Sequence, residues 1–155
     1  MHALILIIHD VRSVHNVGSL FRTADGMGVS TIYLTGYTPG PIDRFGRKIS
    51  AFTKVSLGAE DSVSWEHTEN ALALIQELKQ KGSEVVALEQ APHAVPLSEY
   101  TPKENVALIV GNEVDGISQE ILNAADATIE IPMKGEKESL NVANAGAIAL
   151  WHLTR

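Results

Sequence analysis

Residues 3–8 read Ala-Leu-Ile-Leu-Ile-Ile, six aliphatic side chains in a row with no polar face. A strand turns successive side chains to opposite faces, so a run this uniform has to be covered on both, as inside a parallel sheet. The run reaches His9 and stops at Asp10. It falls well short of the roughly 20 apolar residues that cross a bilayer, and no basic leader precedes it. It is therefore read as a buried strand and not as a signal segment. At 155 residues, 45% hydrophobic and 20% charged, the chain can enclose one such core, and a single domain over residues 1–155 is expected.

The pattern after that strand alternates. A polar loop occupies residues 10–18, and Val17, Leu20, Phe21, Ala24 and Met27 then fall on one helical face, with Gly28 as the residue past the helix end. A second strand is expected over residues 31–34. From 35 to 58 the periodicity lapses among Gly36, Pro39, Gly40, Pro41 and Gly46, a break long enough to be functional or disordered. Ala71, Leu74, Ile75 and Leu78 mark another amphipathic helix, closed by Lys79-Gln80-Lys81-Gly82. Strands follow at 84–88, 106–110 and 127–131, with a short helix at 118–124. Such alternation predicts an α/β fold with a mainly parallel sheet flanked by helices.

The end of the chain is unusual in composition. Pro132 cannot donate to a strand ladder, so the last strand ends there and a charged loop begins. Ser139 is expected to cap a helix running from Asn141 to Leu153. Ala143, Ala145, Gly146, Ala147 and Ala149 give that helix a surface with almost no bulk, so something must pack very close to it.

Several chemistries lack their residues. The chain has no Cys and six scattered His, which excludes disulfides, thiolate metal sites and a Cys nucleophile; no metal is expected, and a reducing, cytoplasmic location suits the composition. No G-x-G-x-x-G, P-loop, H-x-x-x-H or G-x-S-x-G pattern is present. A net charge of -7 opposes binding nucleic acid by charge alone, so RNA contact needs a local patch. Arg44, Arg47 and Lys48 are the best candidates for phosphate contacts. Trp65 and Trp151 are read as packing or interface residues.

Three polar clusters stand at strand ends: N-V-G-S-L-F-R-T-A-D at 16–25, A-L-I-V-G-N-E-V-D-G-I-S at 107–118, and I-P-M-K-G-E-K-E-S-L-N-V at 131–142. In this order they resemble the SpoU/TrmH branch of the SPOUT RNA methyltransferases. The run L-G-A-E-D-S-V-S-W at 57–65 is similar to small members of that family. The resemblance implies a C-terminal trefoil knot, a homodimer, S-adenosylmethionine as cofactor, and methyl transfer to a ribose 2′-hydroxyl of tRNA or rRNA. It places the cofactor against Leu88, Glu89, Gly111, Ile131, Met133, Ser139 and Leu140. It makes Arg22 the catalytic arginine, at a subunit seam, with Asn16, Glu113, Ser139 and Asn141 orienting it and the hydroxyl. Arg12, with His9 and His15, would lie near the path of the RNA.

A guanidinium keeps its proton to above about pH 12, so Arg22 is a poor base. It is expected to contact the target ribose and its phosphate, with the phosphate or a shifted Arg22 accepting the proton. Singly, Asn16 and Ser139 read as helix caps, Arg22 as a surface cation, and Glu113 and Asp115 as turn acids; only the joint pattern gives them roles. Methylation of a base nitrogen on the same fold stays open as an alternative. So do an inactive RNA-binding module and a monomeric small-molecule enzyme of flavodoxin-like architecture.

Overall fold

In a computed structural model, which describes residues 3–155, the aliphatic run forms strand β1 (Ala3–His9) inside a seven-stranded sheet. Met1 and His2, the start of the apolar opening, lie outside the described residues. Leu4, Leu6 and Ile8 of β1 join one hydrophobic layer while Ile5 and Ile7 join the other, which is the two-sided burial that an all-aliphatic strand demands. Strand β2 (Thr31–Thr35) pairs with one edge of β1. A third strand, β3 (Ser64–Thr68), lies outside β2. On the other side of β1 the chain places β4 (Glu84–Leu88), the two-residue β5 (Val95–Pro96), β6 (Asn105–Val110) and β7 (Ala127–Glu130). The sheet order is β3-β2-β1-β6-β4-β7-β5, and all six pairings are parallel.

Helix α1 (Val14–Gly26) connects β1 to β2. Its N-cap is Ser13, whose hydroxyl accepts from the Asn16 amide at 3.1 Å, so Asn16 sits inside the first turn and is not the cap. Gly28, at φ +73°, takes the left-handed position just beyond the helix. The break at 35–58 proves ordered in its second half. Helix α2 (Ser50–Ser56) buries Phe52 edge-on against Phe21 of α1, with ring centroids 5.0 Å apart, and α3 (Ala59–Ser62) follows.

Helices α4 (Ala71–Gln80) and α5 (Gln119–Ala124) cover the sheet face carrying Ile5, Ile7, Ala107 and Ile109. The last helix, α6 (Val142–Leu153), returns to the opposite face beside α1. A Cβ added at Gly146 would lie 2.7 Å from the Leu20 side chain, which accounts for the small residues of α6: the two helices approach too closely for anything larger. The cap of α6 corrects the expectation placed on Ser139. Asn141 is the N-cap, accepting from the amides of Ala143 (2.8 Å) and Asn144 (3.3 Å), while Ser139 stays exposed in the preceding loop.

Neither β3 nor β5 carries an aliphatic run. The sequence of β3 is Ser-Trp-Glu-His-Thr and no residue in it is fully buried, because it forms a sheet edge; β5 ends in Pro96 at the other edge. Successive connections leave β1 in one direction and β6 in the other. The carboxyl ends of these two neighbours therefore border the crevice where open parallel sheets take ligands.

Candidate active site

Glu113 lies just past the carboxyl end of β6, in a loop tightened by the Asn112 side chain, whose Oδ1 accepts the amides of Val114 (2.9 Å) and Asp115 (2.8 Å). That turn aims the Glu113 carboxylate at the N-terminus of α1. There it accepts the backbone N–H groups of Arg12 (3.1 Å) and Ser13 (2.9 Å) and the Asn16 side-chain amide (3.2 Å). Asn16, 8% exposed, accepts in turn from the side-chain amide of Asn141 at 3.1 Å. Asn141, Asn16 and Glu113 thus form one hydrogen-bonded chain across three segments far apart in sequence. Partial burial works to raise the Glu113 pKa, but the N–H groups of Ser13 and Arg12 and the Asn16 amide outweigh it and hold the carboxyl below its ordinary range. It is an anion with its acceptor sites in use.

Beside this chain is a cavity of about 580 Å³, walled by the ends of β4, β6 and β7 and by the loop into α6. That is the size of a site for a small organic cofactor. Leu88, Glu89, Gly111, Ile131, Met133, Ser139 and Leu140, the seven residues assigned to the cofactor, all line it, and so do Asn16, Glu113 and Asn141. Glu89 fastens one wall, accepting from the amides of Ile117 (2.7 Å) and Gln90 (2.9 Å). Gly111 leaves no room for a side chain: a Cβ there would come 2.5 Å from Ile117 Cγ1 and 3.0 Å from the Gly116 carbonyl oxygen. The residues that sequence reasoning missed are chiefly Gln90, Ala91 and Pro92, which continue past β4, and Gln119 and Leu122 of α5. The polar Glu89-Gln90 pair and the Pro92 break directly after an aliphatic strand were the available signal.

The charge of the lining is one-sided. Glu89, Glu113, Asp115 and Glu130 line the cavity, and among the described residues no Lys, Arg or His does. Such a site disfavours a phosphate-bearing ligand and suits a cationic one. S-adenosylmethionine fits this test, since it carries a sulfonium and an ammonium and no phosphate. Among the described residues no group of three or more His, Asp or Glu could hold a metal ion.

Arg22 is absent from this cavity. It is exposed on α1, six residues after Asn16; on a helix that is about 120° around the axis and about 9 Å along it, so the two side chains leave α1 in different directions. The basic residues also lie outside. Arg12 borders a neighbouring cavity, with its guanidinium 5.9 Å from the Tyr37 ring. Arg47 is paired with Asp43 at 3.1 Å, and Lys48 with Asp61 at 2.6 Å and Glu60 at 3.7 Å; Arg44 packs on Phe45 at 4.9 Å.

The fold is a parallel α/β sheet with an acid-lined cavity at its switch point. Residues 3–151 match the SpoU rRNA Methylase family, and the chain belongs to that family. The tRNA (guanosine(18)-2'-O)-methyltransferase of Aquifex aeolicus is 33% identical over 98% of this chain, which covers 69% of that protein. The 23S rRNA (guanosine(2553)-2'-O)-methyltransferase RlmP of Bacillus subtilis is 33% identical over 96% of this chain, but the chain spans only 57% of its length. An AdoMet-bound rRNA methyltransferase from Sinorhizobium meliloti superimposes with a TM-score of 0.86 at 28% identity, over 99% of this chain and 57% of that one.

Proposed function

We propose that this chain is the catalytic unit of an S-adenosylmethionine-dependent methyltransferase acting on a ribose 2′-hydroxyl of tRNA or rRNA. The observation that carries the reading is the Asn141-Asn16-Glu113 chain on the wall of a cavity lined, among the described residues, by carboxylates and no cation. When bound, the cofactor supplies an electrophilic methyl group on a positively charged sulfur. Everything else falls to the protein. Leu88, Gly111, Ile131, Met133 and Leu140 form the apolar walls around the nucleoside, and the surrounding carboxylates favour its charge. Asn16, Asn141 and Ser139 present the polar groups against which the incoming hydroxyl is oriented.

Glu113 is a positioning residue and not the base. It already accepts two backbone N–H groups and the Asn16 amide, and those bonds favour its charged form, so it has little tendency to take a proton. Arg22 is assigned to contact the target ribose and its phosphate, holding the hydroxyl in line with the methyl group. Arg22 of the same chain faces away from the cavity, so it acts across the seam of a homodimer. Support for that seam comes from α6, whose outer face leaves Ile148 44% and Trp151 55% exposed next to α1. The segment between β7 and α6 borders the same cavity as the ends of β4 and β6, and the trefoil threading is assigned to it. The substrate class places the protein with the RNA of the cytoplasm. Among the described residues no helix is long and apolar enough to cross a membrane.

Incubation with methyl-labelled S-adenosylmethionine and bulk tRNA and rRNA, followed by alkaline hydrolysis, tests the reaction. Label in alkali-stable dinucleotides is expected, because a 2′-O-methyl blocks cleavage at that ribose. Label in mononucleotides would instead establish base methylation, and no label in either would remove the assignment.

A further inference from the structure

A second cavity, of about 630 Å³, adjoins the first and shares residues 112–115 with it; Arg12, Ser13 and Tyr37 form its other side. Tyr37 is 56% exposed, yet it is fastened at both ends. Its hydroxyl accepts from the Asn112 side-chain amide at 2.8 Å, and its backbone N–H donates to the Asp10 carboxylate at 3.1 Å. The same Asn112 amide donates to the Asp10 carbonyl oxygen at 2.8 Å. Asp10 takes φ 53°, a left-handed conformation that costs a non-glycine residue about 1 kcal/mol or more. It is kept there by its own N–H on the Thr35 carbonyl at 3.2 Å and by His9 Nε2, 3.3 Å from the carboxylate. The Arg12 guanidinium stands 5.9 Å from the ring centroid. A strained turn, an amide and a cation over the ring thus hold an aromatic side chain that stays more than half exposed.

We infer that Tyr37 is a stacking platform for an unpaired nucleobase of the RNA substrate, the base of the target nucleotide or its neighbour. This rests on the methyltransferase reading above, and it adds the subsite where the RNA is gripped. The placement follows from two consecutive residues: Asn112 holds the Tyr37 hydroxyl, and Glu113 holds Asn16 on the cofactor wall. A ribose presented to Asn16 therefore carries its base, or the next one, toward the ring. Any base has a π-face, and an aromatic ring binds it by stacking without needing several cations; Arg12, over the same ring, adds one charge.

The test compares wild type, Tyr37→Ala and Tyr37→Phe binding to a single-stranded 12-nucleotide RNA that contains 2-aminopurine, alongside methyl transfer to bulk RNA. Wild type and Tyr37→Phe should quench the 2-aminopurine. Tyr37→Ala should lose the quench and bind about 5- to 150-fold more weakly, the equivalent of one stacked base. Its affinity for S-adenosylmethionine should stay at the wild-type level, which shows that the variant is folded. Equal quench and affinity in Tyr37→Ala and wild type would overturn the platform, and if transfer continued the methyltransferase reading would survive. A quench that depends on Tyr37 in a protein that transfers no methyl group would support the platform and dismiss the methyltransferase reading.

Discussion

The cavity proposed for the cofactor is lined by four acidic residues and, among the described residues, no cation, while the cations assigned to RNA lie outside it. Inside, polar groups are interlocked: Asn141 donates to Asn16, Asn16 to Glu113, and Glu89 accepts from the next loop. Outside, Lys48 and Arg47 are paired with their own neighbours' carboxylates, and Arg22 projects from α1 away from the cavity. One region is a cavity walled by residues of a single chain. The other carries its cations at the surface and beside the adjoining cavity, so under the proposed reading it acquires a function when RNA and a second copy come against it. An acidic protein can act on a polyanion on these terms, with the phosphates kept at the rim and only a ribose admitted.

Arg22 bears hardest on this contrast. Arg22→Ala should lower transfer by roughly 100- to 10,000-fold while cofactor affinity measured calorimetrically stays nearly constant. Mixing that variant with Asn16→Ala should restore activity, since a mixed dimer assembles one intact site if Arg22 crosses the seam. A mixture that remains inactive would return Arg22 to its own chain and end the two-region picture.

A smaller effect is expected inside the cavity. Gly111→Val puts a side chain where Ile117 and the Gly116 carbonyl already stand, at an overpacking cost of about 1–3 kcal/mol. Cofactor binding should weaken and the unfolding midpoint should fall. Unaltered binding would show that the β6 loop is looser than its contacts imply.

Glu113 gives a pH signature. Its carboxyl is held below the ordinary value of 4.5, so its charged form stabilises the folded protein above that pH, and the contribution disappears as pH falls through the lowered folded value. Glu113→Gln should be less stable than wild type at neutral pH, with the gap narrowing below about pH 4.5 in acid-unfolding curves. A gap that stays constant with pH would mean that charge is not what the N–H groups recognise. The weakest effect is expected from neutralising Arg44, Arg47 and Lys48 together. RNA affinity should drop a few-fold and the logarithmic salt slope should shrink by at most about 2, because two of the three cations are already paired. An unchanged slope would place the RNA elsewhere.

Much of the sheet could be read from local pattern. The aliphatic strands β1, β4, β6 and β7 and the amphipathic helices α1 and α4 lie within a residue or a few of where spacing put them, because a buried element has to repeat its apolar residues at its own period. The edges could not be read so. β3 is half solvated and polar, and β5 is two residues long, so neither leaves a hydrophobic trace. The caps were ambiguous for a similar reason: Ser13 and Asn16, or Ser139 and Asn141, have equally suitable side chains, and only the path of the backbone selects one of each pair.

The three clusters at 16–25, 107–118 and 131–142 named the segments of the candidate site in advance. What the amino-acid order settled by itself was which residues end a strand and begin a helix, since that depends on neighbours along the chain. The folded arrangement decided which of those residues meet. It brought Asn16, Glu113 and Asn141 within hydrogen-bond distance, gathered acidic residues from three strand ends around one cavity, and left Arg22 exposed outside it. Contacts across about a hundred residues of separation depend on how strands are ordered in the sheet, and no local periodicity carries that information.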